Sequence, residues 1–424
     1  MNVFDILNLT IMAVFSVLCC YQFLYIPISW WKKPKPHRET VMHRFAVLVA
    51  ARNEALVIGN LIESIRQQDY PEELIDIYVM ADNCTDDTAE IAEKAGAVVY
   101  KRFNRNLIGK GYVLHDLLEK LKEEKRFEKY DGFFVFDADN VLRENYISEM
   151  NKTFSDGYQV VTGYRNSKNF GDNWITAGIG LWFLRESRYL NYSRHLVGTS
   201  AAIGGTGFCT ARMLLERYNG WNFFTLTEDL EFTSRVISDG YRIGFCREAE
   251  LYDEQPVEFR ISWRQRLRWS RGYLQMLGKY GLGLFKNLFR TELPNRFASF
   301  DILMNIVPAI VMGGLGLIIN AVNMIWLLLN EAPADELVLP LLKAVVGGYA
   351  LFFIMGLITT ISEWKHIHTS TGKKILYMFT FPLFMFTFMP ISIQSIFVRV
   401  QWKPIRHTRA MNRAAVESNR SDRR

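Results

Sequence analysis

Two carboxylates one residue apart, Asp137 and Asp139, close the apolar run that begins at Gly132. Carboxylates so placed can share a hard divalent cation, Mg2+ or Mn2+, with the phosphate oxygens of a substrate. An Asx-rich turn is the alternative that Asp and Asn favour on structural grounds alone. A second acidic pair, Glu228 and Asp229 in Thr227-Glu228-Asp229-Leu230-Glu231-Phe232, falls in the first turn of an amphipathic helix, where the helix dipole also favours acids. Just upstream, Gly204-Gly205-Thr206-Gly207-Phe208 reads as a flexible loop that lets a substrate approach the backbone. Gln265, Arg268 and Trp269 stand at i, i+3 and i+4, so one helix face shows an amide, a guanidinium and an indole. Such a face can hold phosphate in a fork and offer a flat platform to a sugar ring. It also suits a helix anchored at a membrane surface, as do the nearby Arg260, Arg264, Arg266 and Arg271.

The elements that must position these groups alternate. Phe45–Ala51, Ile75–Ala81, the run Ala97–Lys101 and Gly132–Ala138 read as buried strands, with helices expected over Glu54–Gln68, after Thr85, and over Gly109–Lys125. Alternation of this kind predicts an α/β domain with a mostly parallel, Rossmann-like sheet covered on both faces. Ligands then sit at the carboxyl ends of the strands, which is where Arg52-Asn53-Glu54, Asp82-Asn83 and Asp137-Ala138-Asp139 fall. Gly109-Lys110-Gly111 lacks the upstream Gly and following Ser/Thr of a phosphate loop, and no G-x-G-x-x-G follows the first strand; both arguments speak against those nucleotide folds. The five cysteines form no C-x-x-C pair and read as reduced thiols.

Of the 424 residues 49% are hydrophobic, enough for one large domain plus membrane spans. Residues 6–31, 302–330 and 375–398 carry no charge, and 337–362 only Lys343. Each is long enough to cross a bilayer. Lys32, Lys33, Lys35 and Arg38 place the region after the first span in the cytoplasm, with the acidic loop 331–336 outside. The tail from Arg399 holds eight basic and two acidic residues, a net +6 that equals the charge of the whole chain. It emerges outside if 375–398 crosses. It stays inside if Pro382 and Pro390 break that segment into a re-entrant or interfacial piece. A basic tail beside a membrane favours anionic lipid over nucleic acid as partner.

Asn53-Glu54, Asp82, Asp137-x-Asp139, Thr227-Glu228-Asp229 and Gln265-x-x-Arg268-Trp269, in that order, resemble the motifs of membrane-integrated family 2 glycosyltransferases such as cellulose, hyaluronan and poly-N-acetylglucosamine synthases. Asn83 departs from them, standing where many relatives have a second Asp. The resemblance implies a GT-A catalytic domain and a UDP-sugar donor. Glu54 and Asp82 would hold uridine with Asn53 beside them, and Lys110 would lie near the donor. Asp137 and Asp139 would manage diphosphate and Mg2+ or Mn2+. Asp229, with Glu228 beside it, would be the general base. Gln265, Arg268 and Trp269 would clamp pyrophosphate and acceptor sugar, and Gly205, Thr206 and Gly207 would line the substrate path.

The expected layout is an anchor over 1–31, a cytoplasmic GT-A domain over 39–258, interfacial helices over 259–299, spans over 300–398 and a basic tail over 399–424, all at the plasma membrane. The leading expectation is an inverting, processive polysaccharide synthase that exports its chain, with accessory secretion subunits as further partners. Single-step transfer to a lipid is the alternative enzyme, and a non-catalytic nucleotide-sugar binder within a secretion complex is the third reading.

Overall fold

The computed structural model describes residues 3–307, 313–405 and 407–418. Eight strands form one sheet: β1 (Phe45–Ala51), β2 (Ile75–Asp82), β3 (Val98–Arg102), β4 (Gly132–Asp137), β5 (Val141–Leu142), β6 (Val160–Ser167), β7 (Phe208–Ala211) and β8 (Ile243–Asp253). Their order is β3-β2-β1-β4-β7-β6-β8-β5. The half from β3 to β4 is parallel. β7 runs antiparallel to both β4 and β6, while β6 and β8 pair in parallel. Alternate residues of β1 explain why the strand is apolar throughout. Phe45, Val47, Val49 and Ala51 enter one core under the helices Ile58–Arg66 and Tyr146–Ser155, whereas Ala46 and Leu48 enter the other, under Lys110–Glu123 and Trp174–Arg185.

Register turns this sheet into a site. Ala50 pairs with Asp137 and Ala51 with Ala81, so the polar residues that end β1, β2 and β4 emerge side by side at one edge. The first two helices begin later than their patterns suggest, at Ile58 and Thr88. The reason is local: Asn53 and Asn83 adopt left-handed backbone conformations, φ 57° and 51°, which Asn tolerates better than most residues. Each bends the chain just past its strand and spends several residues on a loop. Asn53 Oδ1 accepts the Thr85 amide at 2.8 Å, tying the two loops together.

Among the described residues three helical segments are long and apolar enough to cross a membrane: Val3–Trp31, Val338–Ser362 and Thr371–Phe397. Gly314–Leu329 is a shorter apolar helix, and the expected span 302–330 includes residues 308–312, which lie outside the described set. The third long segment differs from the others. Its most apolar window is 39% buried within the protein, against 0% and 6% for the first and second. It consists of two helices, Thr371–Phe386 and Phe388–Phe397, and the second lies along the long helix Phe259–Asn287. Trp263 Nε1 donates to Gln394 Oε1 at 2.7 Å, and Arg266 donates to Thr387 Oγ1 at 2.5 Å. Near its start, Lys373 Nζ donates to the Gly171 carbonyl at 2.7 Å; after it, Trp402 lies under the Arg52 guanidinium at 5.8 Å. Both ends therefore sit against the same α/β domain.

A buried ion pair docks the first apolar segment. Arg194 donates to both oxygens of Asp301, at 2.7 and 3.0 Å, and the hydroxyls of Tyr21 and Tyr25 donate to the same carboxylate at 2.7 and 2.9 Å. Losing one partner of a buried pair costs about 3–5 kcal/mol. Four groups from three parts of the chain are thus held in one arrangement beside the α/β domain.

Candidate active site

The strand ends open into a cavity of about 910 Å³. Glu54, Asp82, Lys110, Asp137, Asp139, Gly205, Glu228, Asp229, Gln265, Arg268 and Trp269 all line it. Asn53, Thr206 and Gly207 do not. Those three shape loops: the Asp137 amide donates to Thr206 Oγ1 at 2.9 Å, and the Gly207 carbonyl accepts the Tyr146 hydroxyl at 2.8 Å.

Asp137 keeps its side chain 39% exposed and accepts Lys110 Nζ at 2.5 Å; the same ammonium reaches the Gly205 carbonyl at 2.8 Å. Lys110 starts its helix beside Gly111, where a Cβ would stand 2.1 Å from the Phe223 carbonyl oxygen. The glycines around Lys110 thus permit a close backbone approach and do not form a phosphate loop. Asp139 is almost buried, with Oδ2 accepting the Glu254 amide at 2.7 Å. Asp82 is buried against Arg102 at 2.7 Å and also accepts Asn83 Nδ2 at 2.8 Å. Asn83 itself is absent from the lining; it braces Asp82.

Glu228 and Asp229 open the helix Glu228–Ser238. Burial raises both carboxyls above the ordinary range, Glu228 to about 7, while Lys110 and Arg268 pull the other way. Asp229 Oδ2 would lie 3.4 Å from a Cβ at Gly205, whose φ of 88° suits glycine. A side chain there would crowd the carboxylate. Arg268 donates to the Leu226 carbonyl at 2.7 Å, fastening the long helix to the loop that carries these acids. Gln265 Oε1 is buried without a partner among the described residues, and Trp269 packs on Phe183 at 6.0 Å.

Residues 43–272 match the family model described as glycosyltransferase like family 2. The chain belongs to that family. Among curated relatives, a beta-monoglucosyldiacylglycerol synthase of Synechocystis is 26% identical over 54% of this chain and 47% of its own length. A poly-beta-1,6-N-acetyl-D-glucosamine synthase of Staphylococcus epidermidis is 22% identical over 63% and 67%. The chain spans about half the length of the curated relatives it matches first. A mannosyltransferase of Pyrobaculum calidifontis, solved with GDP-Man and Mn2+, superposes with TM-score 0.58 at 16% identity, covering 92% of this chain and 99% of that one. That likeness establishes the GT-A fold.

In this family 2 glycosyltransferase the tail contributes what the sequence reading missed. The described part of residues 399–418 returns across the cavity, and Trp402, Lys403 and His407 join its lining. His407 stands 3.5 Å from Glu254, 3.7 Å from Glu54 and 3.9 Å from Asp139. Burial works against its proton, but Asp139, Glu254 and Glu54 outweigh it and push the imidazole up to about 10. Burial raises Glu54 to about 8, with His407 opposing and the neighbouring carboxylates reinforcing the rise. Glu254 also accepts the amides of Thr408 at 2.8 Å and Arg409 at 3.3 Å. Further along, Arg409 pairs with Asp172 at 3.1 Å and Arg413 with Glu144. These pairs seat the described part of the tail on the α/β domain.

A divalent ion fits this donor set in one way. Among the described residues no three His, Cys, Asp or Glu side chains could hold an ion by themselves. Asp137 and Asp139 would supply carboxylate oxygens, leaving phosphate oxygens of the donor to complete the shell, which is how Mg2+ is commonly held. Such an ion would neutralise charge developing on the departing diphosphate.

Proposed function

We propose that this family 2 glycosyltransferase transfers a hexose, with inversion, from a UDP-sugar (UDP-glucose or UDP-N-acetylglucosamine) to a hydroxyl of a membrane lipid. The cavity carries this reading. Its polar end holds the groups that displacement of a nucleoside diphosphate requires. Glu54 and Asp82 face the nucleoside, and Asp137, Asp139 and a divalent ion face the diphosphate with Arg268 and Gln265. Asp229 is placed to take the acceptor proton. One base with no second nucleophilic carboxylate supports a single inverting displacement.

The other end is apolar. Phe15, Phe23 and Ile26 of the first segment and Leu351, Phe352 and Met355 of the second line it, with Gln22, Asn305 and Thr359 among its polar members. Acyl chains gain by burial in such a groove, at about 0.8 kcal/mol per CH2. A glycan would leave its hydroxyls unpaired there, each at a cost of about 1–3 kcal/mol. The relatives named for glucosyl-diacylglycerol synthesis support the same acceptor class. The relative named for poly-N-acetylglucosamine synthesis supports the polymer reading, which the apolar groove disfavours.

The test is the product. Full-length protein in lipid nanodiscs, given Mg2+ or Mn2+ and each UDP-sugar in turn, should yield one species of fixed size that partitions into organic solvent. A size-distributed, water-soluble glycan formed without that species would reverse the assignment in favour of a polymerase.

A further inference from the structure

Five arginines line the cavity. Arg52 lies against Trp402 of the tail and Arg268 holds the Leu226 carbonyl; of the remaining three, two are occupied. Arg165 is spent on Asp253 and on the Gly204 carbonyl, at 2.7 and 2.5 Å. Arg194 is spent on Asp301. The side chain of Arg185, at the end of the helix Trp174–Arg185, makes no hydrogen bond or ion pair among the described residues, with the adjacent Glu186 the only acid whose charge acts on it. Its guanidinium lies 5.7 Å over the ring of Trp182, which packs on Phe388 of the helix Phe388–Phe397 at 5.7 Å. The next residue, Glu186, also lines the cavity and lies within electrostatic reach of Asp229. Arg185 thus stands where the polar and apolar ends meet, one residue from the neighbourhood of the base.

A guanidinium carries five donors in a planar fork. While the cavity holds water those donors are satisfied; once acyl chains displace the water, they are stranded unless the incoming molecule brings acceptors. Of the three arginines, Arg185 is the one whose fork is available. We propose that Arg185 is a positioning residue for the acceptor headgroup: it takes phosphodiester or ester-carbonyl oxygens beside the free hydroxyl and so sets that hydroxyl at Asp229. The proposal rests on the lipid reading above. It narrows the acceptor to lipids with oxygen acceptors next to the nucleophilic hydroxyl.

Phosphatidylglycerol and diacylglycerol with matched acyl chains separate the two oxygen sources. Each is titrated in mixed micelles against full-length wild type, Arg185→Ala and Arg185→Lys at saturating UDP-sugar, while donor KM and UDP release without acceptor are followed in parallel. Arg185→Ala should raise the acceptor KM by on the order of 10–100-fold for phosphatidylglycerol if phosphate is the contact, because charge-assisted bonds are the stronger ones. A larger rise for diacylglycerol would assign the contact to ester carbonyls. In either case donor KM and acceptor-free UDP release should stay at wild-type values, and Arg185→Lys should recover part of the loss. Unchanged acceptor KM for both lipids, or a donor KM that rises in step, would overturn the assignment. Donor turnover by wild type without glycosylation of either lipid would overturn the lipid reading and this inference together.

Discussion

Asp229→Asn should cut turnover by on the order of 10²–10⁴-fold while leaving donor affinity near that of wild type. Asn is isosteric and keeps an oxygen and a neutral shape beside Gly205, so the loop fastened by Arg268 to Leu226 has no reason to move. What is lost is the basicity of the carboxylate: the amide oxygen still accepts a hydrogen bond but cannot take the proton as the acceptor hydroxyl attacks. Burial already holds this carboxyl above the ordinary range, which brings its proton affinity nearer to working pH and favours a base. Steady-state rates together with calorimetric titration of UDP separate the two quantities. A parallel loss of UDP affinity would make Asp229 a donor-binding or structural residue.

Asp139→Asn should reduce turnover by on the order of 10²–10³-fold and remove the metal-dependent part of UDP binding. The amide oxygen can still accept the Glu254 amide, so the contact that seats Asp139 survives. The charge that would draw a cation and the diphosphate together does not. Titrating UDP with and without Mn2+ reads the effect directly. A mutant whose affinity still rises with Mn2+ as wild type does would remove Asp139 from the metal site.

Much of this was legible because strand-end chemistry obeys a simple rule. Apolar runs long enough for a buried strand set the sheet edge, and the polar residues following β1, β2 and β4 then had to converge; Glu54, Asp82, Asp137 and Asp139 do. The same rule applied to β8 would have singled out Asp253 and Glu254. That strand was masked by Arg247, Glu248 and Glu250 within it and by its own bulge, where residues 247–249 fall between the partners of Gly163 and Tyr164. Asn53, Thr206 and Gly207 were read as facing substrate because motif position does not say which way a loop residue turns. The tail was the deepest omission. Its path depends on the helix pair Thr371–Phe386 and Phe388–Phe397 and on acids far away in sequence, Glu254, Asp172 and Glu144, none of which a local pattern connects to His407, Arg409 or Arg413.

The most direct measurement is a structure of the full-length protein in lipid nanodiscs with Mn2+ and UDP bound. The account requires the diphosphate to lie between Asp137, Asp139 and the Gln265–Arg268 face. It requires a lipid whose acyl chains fill the groove between Phe23 and Phe352 and whose hydroxyl lies within hydrogen-bonding reach of Asp229. A sugar chain threading that groove, or a lipid hydroxyl held away from Asp229 with UDP in place, would contradict it.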